Sequence, residues 1–380
     1  MSQQNIVVIT GEASGDAHAG RMIGELKQLR PEITVRGIGG DNMRAAGAEI
    51  MFDFSELAVM GIVEVIKRYR HIKNIFNLIL AELKVNAPDL LVLVDYPGFN
   101  LKLAKQAKNL GIPVLYYISP KVWAWRAGRV KTIKQYVDKM AVLFPFEVPI
   151  YQHAGVPVTC VGHPLVDAVK NTLTTKQAKI KMGLKLNHRV IGLFPGSRRS
   201  EIDNLLPIML DAAQRIQQKN VDVEVVLPLA SGIDQAYLDM IIAKSAVSVK
   251  VVKDSFYDLT TACDAIVAAS GTVTLEIALL GVPHFIAYRV SPISYQILRR
   301  LVKIPYVGLC NIVTGKPVVL ELLQDEVTVQ RLETELTALL SDPSSKAKAD
   351  NIRKQVLTAL GPSGGAHNAA QTVLKMLDNL

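Results

Sequence analysis

Two turns in the second half of the chain have residue types suited to binding a phosphate group. One follows the apolar run Ala265–Ala269 and consists of Ser270, Gly271 and Thr272, after which a helical pattern begins. Free backbone N–H groups and the positive end of the helix dipole meet at such a turn and attract an anion. Glu276 follows one helical turn later, where a carboxylate suits the hydroxyls of a ribose. An ordinary turn with a capping Ser or Thr is the alternative interpretation of this segment.

The second turn is Pro195–Arg198, which also follows a strand-like run and opens a helix. Pro-Gly-Ser forms the turn, and the guanidinium fork of Arg198 matches two oxygens of a diphosphate. Asn311 can both donate to and accept from a base or a phosphate. The chain has no Asp-x-Asp pair, which transferases that hold a diphosphate through a divalent metal typically need. We therefore expect these groups to act without a metal and without another cofactor.

Asp95 is the candidate general base of the first half. It ends the apolar run Leu90–Val94, and partial burial at that place would raise its pKa and prepare it to accept a proton. A carboxylate that only caps the following loop is the alternative. Glu12, Asp16 and His18 also remain open as the base.

The turn after the first strand-like run, Ile6–Thr10, is a further candidate ligand contact. It contains Gly11, Ser14, Gly15 and Asp16. The spacing of the two glycines lets the backbone approach a ligand closely, and Ser14 or Asp16 can cap the helix that follows. A tight turn with a purely structural role explains the same residues.

Segment Ser119–Arg126 gathers both tryptophans of the chain, Trp123 and Trp125, beside two cations. Aromatic faces next to cations suit a sugar ring or an acyl-bearing phosphate. We take Trp123 as the candidate contact, with packing of the tryptophans into the core as the alternative.

Met60–Leu83 is a helical segment with a wide apolar surface and cations beside it. Such a helix can lie in a membrane interface with its cations toward anionic lipid. A buried helix with a basic exposed edge is the alternative. Ser294–Lys303 is a second candidate of the same kind. The residues predicted to contact the membrane are Ile62, Val63, Val65, Ile66, Tyr69, Ile72 and Phe76.

The pattern around these residues predicts a doubly wound α/β fold. Short apolar runs alternate with amphipathic segments through the first 165 residues, and the pattern restarts near Arg189. Continuous apolar strands separated by helices are typical of parallel sheets, whose ligands bind at the carboxyl ends of the strands. We predict two Rossmann-like domains that face a central cleft, 1–168 and 169–340. Helices over 341–380 are expected to pack back toward the first domain.

Composition narrows the class of protein. The 380 residues are 49% hydrophobic and carry a formal net charge of +9, which favours anionic partners such as a membrane surface, a phosphorylated substrate or nucleic acid. The charge is spread along the chain without a nucleic-acid-binding motif, so we expect no nucleic-acid partner. The three cysteines are far apart, which fits a reducing compartment. Neither a signal peptide nor a membrane-spanning helix is expected.

Six segments, in this order and at these spacings, resemble the bacterial lipid-A-disaccharide synthases. The resemblance extends from Ile6 to about Gln324 and departs mildly at Tyr96-Pro97-Gly98. It implies the GT-B glycosyltransferase fold, with an acceptor site in the N-terminal domain and a donor site in the C-terminal domain. The six segments are Gly11–Asp16, Asp95–Asn100, Ser119–Arg126, Pro195–Arg198, Ser270–Glu276 and Leu309–Ile312.

The resemblance also implies a reaction. An inverting enzyme would move 2,3-diacylglucosamine from its UDP carrier to the 6-hydroxyl of 2,3-diacylglucosamine 1-phosphate, giving a β-1,6-linked disaccharide 1-phosphate and UDP. Asp95 would be the base, and Gly11–Asp16 with Trp123 would contact the acceptor. The groups expected to hold the UDP-sugar are Arg198, Ser270, Gly271, Thr272, Glu276 and Asn311.

The expected location is cytoplasmic, peripheral on the inner face of the inner membrane of a Gram-negative bacterium, against anionic lipid. A second copy of the chain, in a homodimer, is a further candidate partner. Two other functions compete with this interpretation. A GT-B enzyme acting on a soluble UDP-sugar, such as an epimerase, would not need the apolar surface of Met60–Leu83. A non-catalytic lipid-binding protein would not need Arg198, Ser270 and Glu276.

Overall fold

The computed structural model describes residues 4–57, 62–169, 173–230, 232–291, 295–296 and 305–379, and over 62–69 it describes only the backbone. The chain forms two units. The first comprises Met1–Asp167 together with Leu360–Leu380, and the second comprises Ala168–Ala359.

The first unit contains a seven-stranded sheet in which every strand pairing is parallel. The strand order is β3-β2-β1-β4-β5-β6-β7, so the order reverses between β1 and β4. Such a switch point opens a crevice for ligands at the carboxyl ends of the two strands. The strands are β1 (Asn5–Ile9), β2 (Thr34–Gly39), β3 (Glu49–Asp53), β4 (Leu90–Val94), β5 (Val114–Tyr117), β6 (Lys139–Val142) and β7 (Val158–Cys160).

Helices cover both faces of this sheet because its strands are apolar on both sides. Val7 and Ile9 of β1 pack into one core, whereas Ile6 and Val8 pack into the other. This alternation is the two-residue period of a strand. The helices before the first crossing between the units are α1 (Ala13–Leu29), α2 (Asp41–Ala45), α3 (Ile62–Val85), α4 (Pro97–Asn109), α5 (Arg129–Tyr136), α6 (Val148–His153) and α7 (Leu165–Ala168).

The second unit repeats the architecture with a six-stranded parallel sheet. Its order is β10-β9-β8-β11-β12-β13, and the switch point lies between β8 and β11. The strands are β8 (Arg189–Phe194), β9 (Val223–Pro228), β10 (Val249–Val252), β11 (Ala265–Ala269), β12 (His284–Tyr288) and β13 (Glu321–Leu323). The helices are α8 (Thr175–Lys181), α9 (Arg199–Lys219), α10 (Gln235–Ile242), α11 (Phe256–Ala262), α12 (Val273–Leu280), α13 (Leu309–Thr314), α14 (Val329–Ser341) and α15 (Ser345–Leu360).

The C-terminal residues are divided between the two units. The Lys346 ammonium on α15 donates to the carbonyl of Gly281 at 2.6 Å, within the second unit. The last helix, α16 (Gly365–Leu377), packs against α1 in the first unit through apolar residues such as Val373. The Asp167 carboxylate accepts from the backbone N–H groups of Gly364 and Gly365, which anchors the start of α16.

The described part of α3 packs into the first unit. Ile75, Ile79 and Leu83 recur at helical spacing and are buried in its core. Ile72 and Phe76, which the sequence predicted to contact lipid, are instead partly buried against that core. The side chains of the other predicted lipid contacts lie outside the described part of the structure, and so does most of Ser294–Lys303. These contacts are Ile62, Val63, Val65, Ile66 and Tyr69. Within the described residues, no helix is long and apolar enough to cross a membrane.

Candidate functional site

The candidate base lies at the switch point of the first sheet. Asp95 directly follows β4, and the turn that begins at Gly11 follows β1, the neighbouring strand. Asp95 and Tyr96 both have a φ of 46°, in the left-handed region that is uncommon for residues other than glycine. This conformation is fixed by tertiary bonds. The Asp95 carbonyl accepts from the Tyr116 hydroxyl at 2.6 Å and from Asn100 Nδ2 at 2.8 Å.

The environment of the Asp95 carboxyl suits a proton acceptor. Burial, followed by the negative charge of Glu12, raises the pKa of Asp95 to about 6. The backbone N–H of Tyr96 and the positive charges of Lys121 and Arg129 act in the opposite direction. The resulting value lies close enough to neutral pH for efficient proton transfer in either direction.

Gly11 is required by packing beside Asp95. A Cβ atom at this position would lie 2.3 Å from the ring of Tyr96, so only glycine allows the two segments to approach. The Tyr96 hydroxyl in turn donates to the carbonyl of Leu57 at 2.9 Å. Gly15 is buried and Ser14 is exposed, and both lie in the first turn of α1, whose N-cap residue is Glu12.

Asp16 has a structural role that the sequence did not reveal. Its side chain is buried, and its carboxylate accepts from the backbone N–H groups of Gly40, Asn42 and Met43 at 2.7 to 3.2 Å. It also accepts from Asn42 Nδ2. Asp16 therefore caps the start of α2 instead of α1. Both carboxylate oxygens already accept hydrogen bonds within the first unit, so we no longer assign Asp16 as the base or as a contact to the acceptor sugar.

Replacing Asp16 by Ala is expected to destabilise the first unit by roughly 1–3 kcal/mol, because buried backbone N–H groups lose their acceptor. Urea unfolding followed by tryptophan fluorescence measures this unit, since Trp123 and Trp125 both belong to it. Asp41→Ala is the matched control, because Asp41 lies in α2, the helix that Asp16 caps, but its side chain is 97% exposed and forms an exposed ion pair with Arg44. Equal losses in the two variants would contradict the capping role.

His18 is less suited than Asp95 to act as the base. Burial, followed by the nearby charge of Arg21, lowers the pKa of the imidazole to about 4. Such a group is a weak proton acceptor at neutral pH. Its ring meets Tyr117 edge to face, with centroids 6.3 Å apart.

Trp123 is partly buried and held by polar and aromatic contacts. Its Nε1 donates to Glu147 Oε1 at 3.2 Å, and its ring meets Phe146 edge to face at 5.4 Å. Trp125 is 41% exposed and stacks with the guanidinium groups of Arg126 and Arg129. Glu147 was not identified from the sequence, where it stands as a single acidic residue after a short apolar strand.

The turn Pro195–Arg198 joins β8 to α9, at the switch point of the second sheet. Arg198 is the N-cap residue of α9, with a side chain 76% exposed and Nη1 3.0 Å from Glu201 Oε1. The other carboxylate oxygen of Glu201 accepts from the backbone N–H groups of Ser197 and Arg198. Gly196 has a φ of 108°, and a Cβ there would lie 2.2 Å from Glu201 Oε2. Glu201, which the sequence did not single out, thus shapes this turn.

The turn Ser270–Thr272 follows β11, the strand next to β8. Ser270 Oγ donates to the carbonyl of Val307 at 2.7 Å, so this hydroxyl ties the turn to a neighbouring loop. Thr272 is exposed and Gly271 half-buried at the start of α12. A Cβ at Gly271 would meet open space, which leaves room for a ligand against the backbone.

Glu276 is partly buried one helical turn into α12. Its Oε1 accepts from the Tyr257 hydroxyl at 3.1 Å. Burial raises the pKa of Glu276, and the hydrogen bond from Tyr257 opposes that shift. This position is compatible with the proposed contact to ribose hydroxyls.

Asn311 is fully buried, contrary to its assignment as a ligand contact. Its Nδ2 donates to the carbonyl of Val319 and to Glu321 Oε1, both at 2.7 Å, and its Oδ1 accepts from Val319 N–H. Glu321 also accepts from the backbone N–H groups of Val307 and Gly308. A buried amide has to pair its polar atoms, and here the partners are internal. Asn311 therefore supports the loop that contacts Ser270.

Among the residues that the structure describes, no group of three or more His, Cys, Asp or Glu side chains could hold a metal ion.

The two parallel sheets and their switch points place the chain in one fold class, GT-B. A UDP-GlcNAc 2-epimerase from Neisseria meningitidis, solved with UDP-GlcNAc, matches with a TM-score of 0.62 at 16% identity, over 99% of this chain and 100% of that one. The calicheamicin glycosyltransferase CalG4 matches with a TM-score of 0.60 at 15% identity, over 100% of both chains. At such identities the likeness concerns the fold.

Sequence comparison narrows the class to one family. A family model for lipid-A-disaccharide synthetase matches residues 6–375. The lipid-A-disaccharide synthase of Geobacter sulfurreducens is 47% identical over 99% of this chain and 98% of its own length. That of Coxiella burnetii is 42% identical over 100% and 99%. The chain belongs to the lipid-A-disaccharide synthase family, and is thus a glycosyltransferase of lipid A disaccharide synthesis that uses a UDP-sugar and a lipid.

Proposed function

We propose that this glycosyltransferase moves 2,3-diacylglucosamine from UDP to the 6-hydroxyl of 2,3-diacylglucosamine 1-phosphate in a single inverting displacement. The products are the β-1,6-linked disaccharide 1-phosphate and UDP. The observation that carries the proposal is Asp95 at the switch point of the first sheet, with its pKa raised to about 6. The family membership of the chain supports the choice of substrates.

Asp95 accepts the proton of the acceptor hydroxyl in this proposal. The hydroxyl oxygen forms a bond to the anomeric carbon of the donor sugar as the proton moves to the carboxylate. The bond from that carbon to the UDP oxygen breaks, and its electron pair leaves with UDP. Asp95 has to be ionised at the start of this step, so its protonation below pH 6 should slow the reaction.

Charge stabilisation of the leaving UDP is assigned to the second unit. The Arg198 guanidinium and the helix start at Ser270–Thr272 follow neighbouring strands, β8 and β11. A cation and backbone N–H groups at these places can take up the charge that develops on the diphosphate. Glu276 is assigned to the ribose hydroxyls. Asn311 is left out of the binding set because its amide is used internally.

A product assay tests the proposed reaction. Purified protein is incubated with UDP-2,3-diacylglucosamine and 2,3-diacylglucosamine 1-phosphate in the presence of EDTA, and the products are identified by mass spectrometry. We expect UDP and a tetraacyl disaccharide phosphate in equal amounts. UDP binding without product would leave the fold standing and favour another UDP-sugar as substrate. Activity that appears only when Mg²⁺ is restored would contradict the metal-independent step.

The α3 segment is proposed to hold the protein against anionic lipid at the inner face of the inner membrane. We expect replacement of Ile62, Val65 and Ile66 by Ser to reduce co-sedimentation with vesicles that contain anionic lipid several-fold, because lipid contact grows with buried apolar area. Ile75 and Ile79 have to be kept, since they belong to the core.

Val221→Ser is the control, because Val221 is an apolar residue that is 88% exposed and lies in the second unit, outside α3. Unchanged sedimentation of the triple variant would move the lipid-binding surface elsewhere. Light scattering of the protein without vesicles tests the candidate homodimer.

A further inference from the structure

Glu147 is a buried carboxyl group that the proposed reaction does not use. Its side chain is only 3% exposed, at the end of the short 3₁₀ helix Pro145–Glu147 that follows β6. Oε1 accepts from Trp123 Nε1, and Oε2 accepts from the backbone N–H of Phe144, both at 3.2 Å. Burying a carboxyl group costs free energy unless hydrogen bonds replace those it makes with water.

These contacts join the loops that follow β5 and β6. The loop after β5 contains Ser119 and Trp123, and Ser119 Oγ lies 2.6 Å from the hydroxyl of Tyr151 on α6. The Trp123 ring rests on Phe146, which stacks with Phe144 at 5.4 Å. The loop after β5 is therefore held from one side by a polar and aromatic cluster centred on Glu147.

The same loop begins beside the candidate base, since the Asp95 backbone N–H donates to the carbonyl of Tyr117, the last residue of β5, at 2.9 Å. Lys121 lies in the loop, and Arg129 begins the helix at its end. The positive charges of both lower the pKa of Asp95, against burial and Glu12, which raise it. Tyr116 on β5 also interacts with the Asp95 charge. The position of segment 119–129 therefore contributes to the charge environment of Asp95.

We propose that Glu147 is a positioning residue that holds segment 119–129 through Trp123 and so keeps the charges of Lys121 and Arg129 near Asp95. The proposal rests on the assignment of Asp95 as the base. Glu147 does not touch the reacting atoms. Its effect passes through the indole N–H and the loop backbone to the two cations.

The sign of the effect follows from the charges. When the loop is released, the two cations withdraw and the ionised form of Asp95 is stabilised less, so its pKa rises. A variant that lost only folding stability would leave this pKa unchanged in the molecules that remain folded. The pKa of Asp95 is thus a readout that separates positioning from general destabilisation.

The test measures the pKa of Asp95 directly in the full-length protein. Aspartate carboxyl carbons are labelled with ¹³C, and the signal missing from Asp95→Asn identifies the residue. We expect Trp123→Phe and Glu147→Gln to raise the pKa of Asp95 by roughly 0.5 or more. The acid limb of the kcat profile should move in the same direction. Trp123→Phe keeps the Glu147 carboxyl group and an aromatic ring but removes the indole N–H donor, so it covers the case in which Glu147→Gln fails to fold.

Asp138→Asn is the matched control. Asp138 precedes β6 and also accepts a backbone N–H, that of Val114, but it acts at the amino ends of β5 and β6. It should cost stability without moving the pKa of Asp95. An unchanged Asp95 pKa in folded Trp123→Phe, or an equal rise in Asp138→Asn, would overturn the positioning role. Full activity of Asp95→Asn would instead overturn the assignment of Asp95 as the base. The NMR titration measures the pKa of Asp95 whether or not it is the base, so the two failures can be told apart.

Discussion

Replacing Asp95 by Asn is expected to lower kcat by a factor of about 10² to 10⁴, the range typical of a lost general base. The amide has nearly the same shape as the carboxylate but cannot accept the proton of the acceptor hydroxyl. Affinity for UDP should stay unchanged, because the proposed diphosphate groups belong to the second unit. Steady-state kinetics and calorimetric titration with UDP measure the two quantities. Turnover near that of the unchanged protein would remove Asp95 as the base.

The pH dependence of kcat provides a second measure of the same assignment. The pKa of Asp95 is raised to about 6, so the carboxyl is protonated below that value and kcat should fall about tenfold per pH unit there. Asp95→Asn should lose this limb. Folding stability changes in the same pH range with a defined sign. Because the folded pKa lies above that of the unfolded chain, ionisation of Asp95 costs stability as pH rises from about 4 to about 6.

Glu12→Gln separates the neighbouring carboxylate from the base. The negative charge of Glu12 raises the pKa of Asp95, so its removal should shift the acid limb to lower pH and leave the maximal rate nearly unchanged. A loss of turnover as large as that of Asp95→Asn would assign the proton transfer to Glu12 instead.

Replacing Arg198 by Ala is expected to weaken UDP binding by a factor of roughly 10 to 100. A hydrogen bond to a charged group contributes about 1.5–3 kcal/mol, and the guanidinium fork can form two of them with a diphosphate. Loss of the ion pair with Glu201 contributes little, because the Arg198 side chain is 76% exposed. Calorimetric titration with UDP measures the change. The UDP affinity of Arg198→Lys should lie between those of the unchanged protein and Arg198→Ala, since lysine keeps the positive charge but lacks the guanidinium fork.

Arg199→Ala is the matched control for this prediction. Arg199 is the next residue in the chain, but its guanidinium stacks over the ring of Tyr237, 5.0 Å from the centroid. Its removal should leave UDP affinity within about twofold if only Arg198 contacts the diphosphate, a difference of about 0.4 kcal/mol. Equal losses in both variants would indicate a general electrostatic attraction, and no loss in Arg198→Ala would place the diphosphate elsewhere.

Much of the fold could be predicted because its determinants are local. The run Leu90–Val94 was expected as a buried strand and forms β4 with those bounds. Parallel strands covered on both faces are continuously apolar, so they are visible in the sequence. The edge strand β3 was missed, since Glu49–Asp53 is only partly buried and carries charges at both ends.

The sequence pattern singles out candidate site residues, but it does not show which of them are used inside the fold. Asp95 directly follows β4 and Arg198 ends the turn after β8, and ligand groups in doubly wound sheets occur at such places. Asp16 and Asn311 are polar residues near similar turns, yet both are used inside their units. The difference depends on distant partners, since Asp16 bonds residues 40–43 and Asn311 bonds Val319 and Glu321.

Most elements, the parallel class of the sheets and the strand ends where chemistry could occur follow from the sequence, because each depends on the residue pattern within one segment. Which polar groups are turned inward depends on the tertiary structure. The switch point brings Gly11 against Tyr96 and Glu12 near Asp95, although about 80 residues separate the two segments. The strand order likewise brings Glu147 within hydrogen-bond distance of Trp123. Burial and pairing of charges are properties of that assembly, and they decide which carboxyl groups support the fold and which one is left to accept a proton.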